Sequence, residues 1–495
     1  MRPGNRARLT VALVAAALAG TSAPGSPQGI RITGVSTAQY IDMRPVVLDS
    51  VPVGQTSGDG QLKQAAGGQI VQCITGDAYC HYLRAAPVLG AVPLIQDLNV
   101  SAWGLTTGLR AYAQLRFRAA EGSAAQFWPS SDRSFEAMAA YLELERGPVL
   151  ARVGRQWKTS SLGFYNFDGA SVTLRPRSWL TLEGFGGRSL IRGANETLTS
   201  SAISAVEPWA PDEPDRLIGG EVRFRPSPLF SASALYQRDL RSDAAGLYGE
   251  RLAFDARLRL RGAALNGTLQ TDLASGTVND GRLRLELPRI AGWSPSVEAR
   301  HYQPYFELWT IWGAFAPVGF DEASANAFWT DPGDRVSLRL SGGRRLYGQA
   351  TGGMASLPLR NDGWRVSADA TLRGGASWTF SGSYAADVGM GQARSDQSLA
   401  LRRQIGQGYL GVSGMAFQTL DEFQVDKGRV WGASADAGFQ LLPSARLDGS
   451  FQAYRHAESY DGGIDWNQMR GMLRVEWTVG AEPGRTGHAA RGGAR

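Results

Sequence analysis

The sequence predicts an all-β protein, an antiparallel transmembrane β-barrel of about 20 strands (18–22), with a small β-rich domain at its N-terminal end. Three observations carry this. Apolar and polar residues alternate at period two from about Trp103 to Gly480, the mark of a strand with one apolar and one polar face. Short and long connections take turns, as the two ends of an outer-membrane barrel require. Beyond residue 23 no apolar run nears the ~18 residues of a membrane helix, yet hydrophobic residues are 43% of the 495 and charged ones only 19%. Ordinary soluble domains carry about 25% charge.

Residues 1–23 read as a secretory signal. Arg2, Arg6 and Arg8 form the positive end, Leu9–Leu18 the apolar stretch, and small residues follow around Ala19 and Thr21-Ser22-Ala23, a pattern that addresses the chain for export. Residues 24–102 show strand-like pieces at 31–40 and 70–83 around a polar Gly/Ser-rich stretch, 54–68. They are expected to form a small periplasmic or plug domain on the side of the short turns, or extra strands of the wall. Cys73 and Cys80 flank the turn Thr75-Gly76-Asp77. An exported chain reaches an oxidising space, so a disulfide across that hairpin is expected. His81 follows Cys80, but covalent haem wants Cys-x-x-Cys-His and position 77 is Asp.

The barrel is expected over 103–480. Its clearest strands are Phe254–Arg261, Arg282–Leu287, Trp364–Leu372 and Arg474–Val479. Short turns fall at Gly147-Pro148, Pro176-Arg177, Pro226–Pro228, Gly262, Pro288–Pro295, Gly342-Gly343, Gly374-Gly375, Gly406–Gly408 and Pro443-Ser444. Longer stretches such as 157–167, 189–216 and 305–333 form the other end. Trp364, Trp378, Tyr384, Trp431, Phe439, Phe451 and Trp477 stand near segment ends on the apolar register, where interfacial belts place aromatics. Residues 481–495, rich in Gly, Ala and Arg, are expected to be disordered.

Register then assigns a polar lumen. Facing it should be Arg223, Arg225, Asp255, Arg257, Arg259, Arg261, Arg282, Arg284, Glu286, Arg339, Arg365, Asp369, Arg446, Arg474 and Glu476. An arginine-rich wall favours polar or anionic small solutes; a plainer reading is a hydrated lining in which arginines pair with acids. The loop 305–333, with Trp309, Trp312, Asp321, Glu322 and Trp329, is the expected constriction.

The net charge of +6 sits mainly at the ends. Residues 1–23 hold three arginines and no acid, and 481–495 three arginines and one glutamate. The rest is close to neutral, which argues against a nucleic-acid partner. Of four histidines none joins a Ser/Asp set or a metal-spaced cluster, so no catalytic residues, no metal and no cofactor are implied, and no enzyme is expected.

The segments Arg152-Val-Gly-Arg-Gln156, Gly163-Phe164 and Phe167-Asp-Gly169 resemble a pattern in the alginate-export family and related Gram-negative outer-membrane porin-like channels. There a Gly-Arg-Gln strand end precedes a loop and a Phe-Asp-Gly strand start. The resemblance implies a passive diffusion or export channel in the outer membrane. The leading expectation is therefore a channel for small or oligomeric polar solutes, in contact with outer-membrane lipid. The alternative is a porin-like sheath around a separate multihaem cytochrome, since the chain carries no haem motif of its own.

Overall fold

The computed structural model describes residues 29–480 except 45, 59–61, 67–69, 75, 123–133, 191–215, 241–246, 304–318, 349–360, 376, 390–391, 423–427 and 459–464. Twenty-two strands form one antiparallel sheet. Each pairs with its neighbours in chain order, and the first, Gly29–Met43, pairs with both Leu89–Thr106 and the last, Trp466–Gly480. The sheet is therefore a closed barrel with no free edge strand, the arrangement that satisfies backbone groups in lipid.

The wall holds two more strands than the count of twenty. Gly29–Met43 lies N-terminal to residue 103 and Leu89–Thr106 begins there and runs across it, and both belong to the wall. What remains of the N-terminal region is a separate five-stranded sheet built from Val46–Pro52, Thr56–Ser57, Leu62–Ala65, Ile70–Cys73 and Tyr79–Ala85. Its position corrects the expectation of a domain on the short-turn side. Gly29 meets Trp103 at the end where the chain also leaves the barrel, whereas Met43 meets Leu89 at the other. A chain that rises through one wall strand and descends through the next must place the insert at the end bearing the long connections. Cys73 and Cys80 form the disulfide, with Cα atoms 4.2 Å apart. They bury with Ala65 and Val71, and Val51, Val53 and Tyr82 pack against them.

A second correction concerns 305–352. Phe320–Thr330 and Val336–Tyr347 are wall strands, so Gly342-Gly343 lies within a strand. The turn is Asp331–Arg335, where the Asp331 carboxylate accepts from the amides of Arg335 at 2.6 Å and Val336 at 2.7 Å. The stretch 157–167 is likewise no long loop: Val149–Ser160 and Gly163–Arg177 pair directly from Ser160↔Gly163 downward.

The two faces differ as a membrane barrel requires. Val153, Phe254, Leu283, Val297, Leu399, Val412, Phe451 and Leu473 are exposed on the outer register. Trp364, Trp378, Tyr384, Trp431 and Phe439 are exposed there as well, on the register expected of belt residues. The opposite face carries the charges.

Candidate pore and its constriction

Cross-strand partners share a face, so register alone assigns the lumen. Asp255, Arg257 and Arg259 oppose Thr268, Asn266 and Ala264, and these oppose Arg282, Arg284 and Glu286. Arg257 lies 3.7 Å and Arg284 3.8 Å from Glu286, while Arg282 lies 3.2 Å from Asp280. Arg223 forks onto Glu221 and reaches Glu183 at 3.6 Å. Arg225 shares the parity of Arg223 beside the turn. Arg446 pairs with Asp448 at 2.9 Å, and Arg474 with Glu476 at 2.5 Å. Arg339 opposes Asp369 and stacks over the Phe328 ring at 5.7 Å. Arg261 differs: it occupies a two-residue turn with φ 47°, at the mouth of the lumen.

The expected constriction residues are scattered. Trp309 and Trp312 lie outside the described residues. Trp329 pairs with Trp293, ring centroids 6.3 Å apart, beside the short turns. Asp321 sits on the outer register with His301, 2.8 Å away. Of the three that are described, only Glu322 faces the lumen, almost fully buried. There it receives Arg345 at 2.8 Å and Arg365, and Arg345 also reaches Asp387 at 3.2 Å. The reason is that 320–330 is wall rather than loop, so its side chains alternate between faces.

The narrowing that sequence reasoning missed is the hairpin 149–177. Its tip, Leu162, is buried, and its carbonyl accepts from Arg251 Nη1 at 2.8 Å. Arg251 belongs to Leu247–Leu260, and three wall strands intervene. At a strand spacing of about 4.8 Å the two strands stand roughly 19 Å apart in the wall, beyond the reach of an arginine side chain. A hairpin following the barrel's curvature could not make this contact. The tip therefore folds inward over the lumen face.

Apolar burial holds it there. Leu162, Tyr165 and Phe167 of the hairpin pack with Phe185, Leu217, Leu235 and Ala253, all on the lumen register. Complete burial of Phe167 and Leu217 contributes about 1.5–3 kcal/mol each. Lys158 adds a charged clasp, 2.6 Å from Glu183 and 2.8 Å from Glu221.

Glycine permits the fold. Gly154 opposes Gly169, and Gly169 opposes Gly187, a row without side chains across three strands. A Cβ on Gly169 would collide with the Gly186 carbonyl oxygen, and one on Gly154 with that of Ala140. Gly154 also has φ +127°, a conformation L side chains rarely adopt. The Gly-Arg-Gln and Phe-Asp-Gly segments thus lie side by side at the crease. Arg155 forks onto Asp168 at 2.8 and 2.9 Å, and Gln156 accepts from Ser171 at 2.6 Å.

A closed sheet with an apolar outer belt and a charged, water-compatible lumen defines a transmembrane β-barrel of the outer-membrane class. No family model and no curated protein matches the chain. Among solved structures it is similar to OccAB1 of Acinetobacter baumannii at 9% identity, covering 94% of this chain and 100% of that one, with TM-score 0.39. It is similar to OpdQ of Pseudomonas aeruginosa at 10% identity, covering 92% and 98%, with TM-score 0.39. The translocation pore of the P pilus usher PapC matches at 10% identity over 90% and 99%, with TM-score 0.41. At these scores the likeness adds nothing to the assignment, which rests on the closed sheet and its two faces.

Proposed function

We propose that the protein is a non-enzymatic outer-membrane channel through which small polar solutes diffuse, with weak preference for anions. The observation that carries this reading is the lumen wall itself. Arg223, Arg257, Arg282, Arg284, Arg365, Arg446 and Arg474 lie within 4 Å of acids, so the wall is hydrated and largely balanced rather than strongly charged. The folded-in hairpin sets the size limit, and the arginines on 257, 259, 282 and 284 bias the field near the short-turn mouth. The cytochrome-sheath reading gains no support, because the hairpin occupies lumen that a protein core would need.

The test is the reversal potential across a planar bilayer in a salt gradient. Wild type should favour anions weakly, and the preference should shrink as ionic strength rises and the screening length falls toward ~8–10 Å and below. Joint Arg257→Glu and Arg259→Glu substitution should move selectivity toward cations. A strongly cation-selective wild type, or a double variant with unchanged selectivity, contradicts the proposal.

A further inference from the structure

The geometry points to a second route through this barrel: a lateral slot between Phe135–Arg146 and Val149–Ser160, opening the lumen to the outer leaflet for single-chain amphiphiles. Backbone pairing between these strands runs from Val149↔Arg146 to Arg155↔Ala140 and stops there. Residues 135–139 keep their ladder with Leu109–Gly122 on the other side. Toward the folded-in hairpin they have no backbone partner among the described residues. Side chains replace the ladder instead. Arg155 Nη1 donates to the Ala137 carbonyl at 2.9 Å, and Asn166 Nδ2 to that of Met138 at 2.9 Å.

The height of the gap matters. From Val149 to Gly154 the strand runs about 17 Å, about 13 Å of it along the barrel axis at a tilt of about 40°, and the apolar band of such barrels is about 25 Å tall. The ladder therefore ends inside the membrane. Backbone groups held only by side chains do not face hydrocarbon there; they line a polar or water-filled cavity. A polar gap that meets lipid suits a molecule with one end of each kind. Both lips carry rings for an alkyl chain. Phe117 and Phe135 pair on the wall side with centroids 5.1 Å apart, and Trp157 and Phe164 pair at 6.0 Å on the hairpin face turned away from the buried cluster. The three exposed rings, Phe135, Trp157 and Phe164, are free to receive it. This route is independent of which solute uses the main channel.

The probe is a diazirine-bearing palmitate added to the full-length protein in liposomes, with adducts mapped by mass spectrometry. Adducts should concentrate on 135–139 and 157–166 and be competed by unlabelled palmitate. A second arm bridges the seam in an Ala137→Cys/Asn166→Cys variant with a short bis-maleimide, the native cysteines being tied up in their disulfide. Bridging should remove the adducts while the variant still opens to ions, which separates failure of this route from failure of the channel. Even labelling of the whole apolar belt, labelling that palmitate does not compete, or adducts that survive bridging would overturn the inference.

Discussion

Gly154, Gly169 and Gly187 share one lumen-facing row, and their missing side chains allow the wall to crease. Replacing Gly169 by Val should therefore be far worse than changing Gly184 to Ala, where an added Cβ meets nothing within 4 Å. Overpacking of this kind costs about 1–3 kcal/mol. The heat-modifiable gel shift should move to lower temperature for Gly169→Val and stay in place for Gly184→Ala; equal shifts would remove the crease from the account. On the outer face, depth decides the cost of charge. Phe254 stands midway along Leu247–Leu260, whereas Leu258 is two residues from its short-turn end. Arginine at 254 should cost about 2–4 kcal/mol and at 258 only about 0–1 kcal/mol, as the midplane and interface values require. Urea unfolding in lipid checks this, and equal costs would contradict the placement.

At the scale of elements, the turn after Phe320–Thr330 depends on one carboxylate. The amide of Val336, then those of Arg335 and Gly333, donate to Asp331 and hold its pKa below the ordinary 3.8. A depressed folded pKa gives stability that is complete above the unfolded value and is lost as pH falls through the folded one. The stability gap between wild type and Asp331→Ala should thus be constant near neutrality and close below pH about 4; a gap that widens in acid would contradict it. The five-stranded insert is a separate unit closed by its disulfide. Cys73→Ser should cost it about 2 kcal/mol by the loop-closure estimate and expose it to protease, while the boiled-versus-unboiled shift of the barrel persists. Loss of that shift would show that the insert and wall fold together.

These elements were unequally legible. Leu247–Leu260 and Asp362–Gly374 declare themselves because arginine or aspartate alternates with leucine, valine or alanine. Phe320–Thr330 does not, because its outer residues include Ala323, Ala325 and Ala327, whose hydrophobic contrast with Ser324 and Asn326 is slight. Gly29–Met43 is legible as a strand over 31–40 but not firmly as wall, because Gly34, Ser36 and Ala38 on one register leave its two faces little contrast. The lumen assignments follow from parity alone. The folded hairpin does not, since its signal is three glycines that become neighbours only when three strands are in register.

As a whole, the proposed channel is a barrel whose bore is narrowed by the inward hairpin. It explains why the apolar residues Leu162, Tyr165 and Phe167 are buried on a face that is otherwise charged. The most direct test compares single-channel conductance of the wild type with that of a variant in which Lys158–Tyr165 is replaced by a two-residue turn. Stable openings are expected for the wild type and larger ones for the trimmed barrel, because the clasp on Glu183 and Glu221 and the obstruction go together. Equal conductance in the two proteins, or no openings in either, would contradict it.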